Sequence, residues 1–323
     1  MTNEAEHVIE VEHLTKRYGG LLAVNGISFT VRKGEVFAFL GPNGAGKTTT
    51  VEIIETIRTP TSGNVRLLGM DVTKKKRDIV PRIGVLPQGF SSFDRITVRE
   101  TLQYYSRLFR RGKTDIDGLI GLVNLKDKTR EQYKNLSGGL KQRLGIAIAL
   151  VNDPEVVFLD EPTTGLDPGA RREVWDVLQG LKEKGKTVFL TTHYMEEAEI
   201  CDRIAVMDNG ALVALDTPAA LKAGVGGDIV ELSTTDNVAA RAEIATRFGI
   251  DPSLSGNVLS LKTAGGGEFL VRLVKELTVP ITNVNLRRPT LNDAFLALTG
   301  RQIREEEAPK NAGRHGRMRR GFH

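Results

Sequence analysis

Residues 41–48 read Gly-Pro-Asn-Gly-Ala-Gly-Lys-Thr, and their setting constrains the fold more than any other stretch of the chain. Before them, Val36 to Leu40 is an apolar run without a polar position, as expected of a strand buried on both faces. After them, Thr49 to Ile57 follows helical spacing. A strand, a glycine-rich turn and a helix start form a unit whose backbone N–H groups wrap an anion, with the helix N-terminus adding a positive end. Gly41, Pro42, Asn43, Gly44, Ala45 and Gly46 would form the cradle, Lys47 would reach the β- and γ-phosphates, and the Thr48 hydroxyl would ligate Mg²⁺. The structural alternative is a glycine turn carrying an exposed lysine, and the flanking strand and helix argue against it.

Two further apolar runs, Val156 to Leu159 and Thr187 to Thr191, alternate with helical patterns at Arg99 to Leu108, Leu140 to Val151 and Arg171 to Lys184. Such alternation predicts an α/β domain with a mostly parallel core sheet. Val8 to Leu14 and Gly26 to Val31 instead alternate apolar and polar residues, as half-buried antiparallel strands do. The first, larger domain is thus expected over 1–222, with a linker at 223–228 where Gly-Val-Gly-Gly shifts the composition. Strand-like and helix-like segments from Ile229 to Leu298 predict a small α+β accessory domain over 229–300.

Three more segments carry chemistry. The run Val156 to Leu159 ends in Asp160-Glu161, and carboxylates that a buried strand cannot hold belong just past its C-terminal edge, where open α/β sheets bind ligands. Asp160 suits Mg²⁺ and Glu161 suits polarising an attacking water; a simple helix-start signal is the alternative. His193 follows the strand at Thr187 and falls on the same sheet edge, where an imidazole could meet a γ-phosphate; a structural or solvated loop histidine is the alternative. Ser137-Gly138-Gly139 immediately precedes an apolar helix and makes a second anion-binding N-terminus, or a plain helix cap. One nucleotide cannot occupy both places in one subunit, so this loop is expected to complete the phosphate site of another.

Composition narrows the class. The formal net charge is +5, yet residues 308–323 carry Lys310, Arg314, Arg317, Arg319 and Arg320 with no acid, so the preceding residues are neutral. The charge sits on 308–323, within a tail over 301–323 that has no packing pattern and is expected to be disordered and able to touch anionic lipid weakly or to stay solvated. Cys201 is the single cysteine, which excludes an internal disulfide and a cysteine-based zinc cluster. The acidic, polar start predicts no secretory signal, and no apolar run approaches the roughly 20 residues of a membrane span.

With six motifs in order, residues 8 to about 222 resemble the ATP-binding subunits of ABC transporters. These are the phosphate loop, a glutamine loop at Val85-Leu-Pro-Gln88, the Leu136-Ser-Gly-Gly-Leu140 signature, the acidic strand, the Gly165-Leu-Asp-Pro168 loop and the switch His193. The run from Thr191 through Glu199 and the Arg288 to Gly300 stretch look like the daunorubicin-resistance type of drug exporter. The resemblance implies a P-loop NTPase fold with an antiparallel β subdomain and a helical subdomain, ATP and Mg²⁺ as cofactors, and ATP hydrolysis. It implies that Tyr18 stacks on adenine with Val24 near the same face, and that Thr49 joins the α-phosphate contacts. Gln88 would sense Mg²⁺ and the attacking water, giving Thr48, Gln88 and Asp160 as metal residues and Glu161, His193 and Gln88 as catalytic ones. Ser137, Gly138, Gly139 and Asp167 would serve a head-to-tail dimer, either of this chain or with a second ATPase subunit.

The implied partner is a separate transmembrane permease, with this chain peripheral on the cytoplasmic side of the cell membrane; the aromatics of Gly89 to Arg95 are expected at the contact, the alternative being ordinary core of the helical subdomain. The resemblance further implies export of a drug-like or lipid-like substrate. The rival is a soluble ABC-type ATPase acting on nucleic acid or ribosomes. Such proteins carry two cassettes or a long coiled-coil insertion before the signature, and this chain has neither, so no nucleic-acid partner is expected. Leu140 departs from the usual Gln or Met, which should keep the helix start and lose a side-chain amide.

Overall fold

A computed structural model describes residues 6–109 and 114–300. In chain order, β1 (His7–Tyr18) and β2 (Leu21–Arg32) form a hairpin, and β3 (Val36–Leu40) leads through the glycine loop into α1 (Lys47–Ile54). Next come β4 (Ser62–Leu67), β5 (Met70–Asp71), the short α2 (Lys76–Ile79) and β6 (Ile83–Leu86). A helical segment follows, with α3 (Val98–Leu108), α4 (Ile116–Leu122) and α5 (Gly138–Ala149). The chain then alternates through β7 (Val156–Asp160), α6 (Pro168–Glu183), β8 (Thr187–Thr192), α7 (Met195–Glu199), β9 (Arg203–Asp208), β10 (Ala211–Asp216) and α8 (Pro218–Ala223). It closes with β11 (Asp228–Thr234), α9 (Asn237–Phe248), β12 (Ser253–Ser255), β13 (Val258–Thr263), α10 (Gly266–Glu276), β14 (Ile281–Arg287) and α11 (Leu291–Thr299).

The central sheet has the order β10-β9-β3-β8-β7-β6, parallel from β9 to β6, with β10 antiparallel at one edge. Its strands are buried on both faces because alternate side chains enter two different cores. Val36, Ala38 and Leu40 of β3 pack with Val157, Leu159, Val188, Leu190 and the helices α5 and α6. Phe37 and Phe39 face the other way, toward Phe158, Phe189 and the antiparallel sheet β2-β1-β4-β5. Phe29 of β2 meets Phe37, Phe39 and Phe189 at ring-centroid separations of 5.8, 4.9 and 6.5 Å. Such aromatic pairs contribute about 0.5–1.5 kcal/mol each beyond area burial, which fixes the β subdomain against the sheet.

Two of the expected boundaries move. The helix of the phosphate loop begins at Lys47 rather than Thr49, and it stops at Ile54, where Thr56 turns left-handed at φ 67°. The edge pair β9 and β10 lies beyond the strands that composition marked. Its turn, Asp208-Asn209-Gly210, has positive φ at Asn209 (46°) and Gly210 (77°), the conformation that suits a tight hairpin.

The small sheet has the order β12-β13-β11-β14, so the segment from β11 to β14 is an antiparallel split β-α-β of the ferredoxin-like kind. Val230, Leu232, Leu259 and Leu261 form its core with Ala240, Ile244, Phe269 and Leu273 of α9 and α10. A self-contained unit over 229–300 is not what forms, because α11 leaves this sheet. Its Leu291, Ala294 and Phe295 are buried with Leu221 and Val225 in the core shared by α5 and α6. The cause is geometric: α9 and α10 already cover the apolar face of the small sheet, and the apolar stripe of α11 must be buried elsewhere. Val225, in the expected linker 223–228, is therefore itself buried. Arg287 ties the two parts together, bonding Asp293 at 2.6 and 3.0 Å and Glu231 at 2.8 Å. The basic tail over 301–323, with its proposed lipid contact, lies outside the described residues.

Candidate functional site

An open cleft of about 470 Å³ lies over the glycine loop, lined by Tyr18, Leu21, Leu22, Ala23, Asn43, Gly44, Ala45, Gly46, Lys47, Thr48, Thr49, Gln88, Glu161, Asn209 and Gly210. Two glycines make the loop possible. Gly46 has φ 100°, and a Cβ there would lie 2.4 Å from the Ala23 carbonyl oxygen; at Gly41 it would lie 2.3 Å from that of Met207. The loop thus fits against β2 and β9 only where side chains are absent. Lys47 is buried at 5% exposure and its Nζ donates to the Gly41 and Pro42 carbonyls at 2.7 and 3.2 Å.

Strand ends bring the rest together. Glu161 sits one residue past β7 at φ 49°, a left-handed conformation that costs a glutamate on the order of 1 kcal/mol and persists where surroundings over-determine it. Its N–H donates to the Thr191 hydroxyl at 3.0 Å and lies 3.2 Å from the Thr191 carbonyl oxygen on β8. Oε1 then lies 3.9 Å from Lys47 Nζ and 3.3 Å from His193 Nδ1, the latter without hydrogen-bond alignment. Oε2 accepts from Gln88 Nε2 at 3.0 Å and from the Thr164 hydroxyl at 3.1 Å. Asp160 accepts a close hydrogen bond from the Thr191 hydroxyl.

The charges are set by this crowding. Burial alone would raise Glu161, but the His193 imidazole, the Lys47 ammonium and the Thr164 hydroxyl outweigh it and hold the carboxylate below its ordinary range. Burial pushes Asp160 up against the pull of the Thr191 hydroxyl, and the Glu161 charge adds to the rise. Burial lowers Lys47, and Glu161 and Asp160 restore part of the fall. The site therefore keeps an ionised Glu161 beside a cation, the state a water-polarising base requires.

Not every expected residue reaches the cleft. Val24 is fully buried in the apolar core, and Leu22 and Ala23 line the wall in its place. Tyr18 does line it, with Lys16 Nζ 5.0 Å and the Arg58 guanidinium 5.6 Å from its ring centre. Asp167 caps α6, accepting from the Gly169 and Ala170 amides at 3.0 Å each. Ser137 caps α5 through the Leu140 amide at 3.4 Å, and Ser137, Gly138 and Gly139 are outside the cleft lining. Leu140 keeps the helix start and packs against the core below it. Among the described residues no group of three His, Cys, Asp or Glu side chains is placed to hold a metal. Magnesium needs few protein ligands beside phosphate and water, and one hydroxyl at Thr48 on the cleft wall with one half-buried carboxylate at Asp160, behind the lining, fit that demand.

Comparison with known proteins decides the family. The chain is 40% identical over 304 residues to Nod factor export ATP-binding protein I of Burkholderia orbicola, covering 92% of this chain and 98% of that protein. It belongs to the ATP-binding subunits of ABC transporters. It is also 38% identical over 314 residues to daunorubicin resistance ATP-binding protein DrrA3 of Streptomyces coeruleorubidus, covering 94% and 99%. The ABC transporter family pattern matches residues 24–164. A solved dimeric ATP-binding cassette in a post-hydrolysis state with ADP and Pi is 26% identical, with a TM-score of 0.58 over 65% of this chain and 98% of its own. cbiO1 from Clostridium perfringens, part of an ABC transporter complex, is 25% identical with a TM-score of 0.62, over 76% and 96%.

Members of this family hydrolyse ATP, and their cassettes dimerise and work with membrane permeases; this cassette shares the P-loop ATPase fold and is an ATPase. No helix among its described residues is long and apolar enough to cross a membrane. Sequence reasoning missed Leu21, Leu22, Ala23, Asn209 and Gly210 in the cleft wall and the supports Thr164 and Thr191. Asn209-Gly210 carried a hairpin signal in the sequence itself, whereas nothing local marks the Thr191 hydroxyl as the partner of the Asp160 carboxylate and the Glu161 amide.

Proposed function

We propose that this subunit energises export through a separate transmembrane permease, binding two ATP molecules between two cassettes and hydrolysing them with Glu161 as the group that polarises water. The observation that carries the reading is the convergence of Lys47, Gln88 and His193 on one carboxylate within 3.0–3.9 Å. The glycine loop would bind the phosphates through its amides, Tyr18 would stack on adenine, and Thr49 would meet the α-phosphate. Thr48 and, through water, Asp160 and Gln88 would hold Mg²⁺, which neutralises phosphate charge. Ser137 and Gly139 would meet the γ-phosphate held by the other cassette, with Asp167 at the same seam.

The export direction is supported by the names of the relatives, which act in drug resistance and Nod factor export, and so is a drug-like or lipid-like cargo. The permease would bind on the cytoplasmic face of the membrane near residues 89–95. There Phe93 is 52% exposed and packs edge-on to the exposed Tyr104, while Phe90 turns inward against Tyr105 and the core. Glu161→Gln should bind ATP normally and turn over at least about 100-fold more slowly, the scale of lost general-base help. Near-normal turnover by purified protein would remove Glu161 from that role.

A further inference from the structure

Glu197, in the short helix α7, is fully enclosed and its two carboxyl oxygens have no aligned hydrogen-bond partner. A carboxyl group is rarely sealed in a protein without pairing, so its position asks for a cause. Its surroundings supply one. The Thr163 and Thr192 hydroxyls stand beside it, with Arg171 and His193 as the nearby charged or titratable groups. Thr163 is likewise fully buried, and its Oγ1 is also unpartnered. Thr192 Oγ1 accepts the Tyr194 amide at 2.9 Å and donates to the Tyr194 carbonyl only at 3.5 Å, the outer limit of a hydrogen bond, so its proton is weakly held there and can be shared with the carboxyl. Arg171 is held away from full pairing: its guanidinium stacks 4.1 Å from the Tyr194 ring centre and Nε donates to the Leu166 carbonyl at 3.1 Å.

The two hydroxyls belong to different parts of the machinery. Thr163 lies two residues past Glu161, in the turn where the Thr164 hydroxyl holds Glu161 and which runs on to Asp167. Thr192 ends β8 and immediately precedes His193. The geometry points to Glu197 as a positioning residue of the ATPase site, whose carboxyl links Thr163 to Thr192 and so holds the Glu161 turn in register with His193. The group never reaches the cleft and does not touch nucleotide; it acts through the segments at its two ends. A neutral side chain that can both donate and accept fits the place, because burial and the absence of an aligned cation disfavour a charge there.

This rests on the assignment of Glu161 and His193 to hydrolysis, and the test separates the two. In full-length protein, kcat and KM for ATP are measured for Glu197→Leu, Glu197→Gln, Thr163→Val and Glu161→Gln, with ADP binding and thermal melting recorded for each. Glu197→Leu and Thr163→Val should lower kcat at least about tenfold, the scale of a small misplacement of catalytic groups, with KM and ADP affinity within twofold. Glu197→Gln, whose amide can accept from one hydroxyl and donate to the other, should keep at least half of kcat. A kcat within twofold of the parent in Glu197→Leu would overturn the assignment, as would Gln as damaging as Leu, or loss of ADP binding in parallel with kcat. If Glu197→Leu does not fold, Thr163→Val and Glu197→Gln decide by the same criteria. Fast turnover by Glu161→Gln would instead remove the hydrolysis assignment itself, whatever Glu197 does.

Discussion

Glu55 offers a quantitative check on the electrostatics around the phosphate loop. It directly follows α1 and is only 7% exposed. Burial, then the nearby charges of Asp160 and Glu52, push its carboxyl up to about 8 from an ordinary 4.5. Because the folded state binds this proton more tightly than the unfolded chain, the contribution is greatest below pH 4.5 and is lost as pH rises through 8. At 1.36 kcal/mol per unit, the two values imply a loss of about 3 kcal/mol between pH 5 and pH 7.5. Glu55→Gln removes the titration while keeping size and polarity. Urea unfolding in EDTA, so that no cation near Asp160 offsets the charge, should show the variant gaining about 3 kcal/mol relative to the parent over that interval. The gain would come from the parent declining with pH, not from a new contact in the variant. Parallel curves for the two proteins, within about 0.5 kcal/mol, would mean that Glu55 is solvated or paired and would refute the reasoning.

Two other outcomes follow from packing. Gly46→Ala places a Cβ 2.4 Å from the Ala23 carbonyl oxygen at a φ of 100°, so strain of about 1–3 kcal/mol should weaken ATP binding about 5- to 150-fold in calorimetric titration; unchanged affinity would sink the close-approach argument. Phe295→Ala should cost about 3–5 kcal/mol and shift the unfolding midpoint read from Trp175, the single tryptophan, which lies on α6, the helix whose Val174, Val177, Leu178 and Leu181 are in the ATPase core. A midpoint that does not move would return α11 to the small domain.

The parts of the fold written in local pattern were legible. Val36–Leu40, Val156–Asp160 and Thr187–Thr192 are apolar because each faces two cores, and that leaves a mark in composition that periodicity can find. The edge strand β10 escaped notice because an edge strand buries less, and it has no fully buried residue; β9, between β10 and β3, is buried from Ile204 to Met207, so its apolar run did carry the signal. The departure of α11 from its sheet was illegible for another reason. An amphipathic stripe declares that a face will be buried and does not say against what, and Leu291, Ala294 and Phe295 would suit either core. At the site, Lys47 was readable from the glycine loop, Glu161 and His193 from their places after strands, and Gln88 only through the family resemblance. The place of Val24 was not, since a one-residue step along β2 exchanges the cleft wall for the core.

The stretch from Glu161 to Ala170 accounts for how one chain can relate its own phosphate site to a second surface. At its start, Glu161 meets Lys47, Gln88 and His193. At its far end it packs on the start of α5: a Cβ at Gly138 would lie 3.4 Å from Leu166 Cδ2, and one at Gly139 would lie 2.7 Å from Ala170 Cβ. Between them, the Asp167 carboxylate fixes the stretch to α6 by accepting hydrogen bonds from the Gly169 and Ala170 amides. Ser137 to Gly139 stand outside the cleft of their own chain, and solved cassettes of this family form dimers. If those residues serve the nucleotide of the second cassette, a shift of the Glu161 turn is carried by packed atoms and capping bonds to the neighbouring site. Coupling of that kind needs contiguous contacts with two discrete arrangements rather than flexibility, and this stretch supplies the contacts.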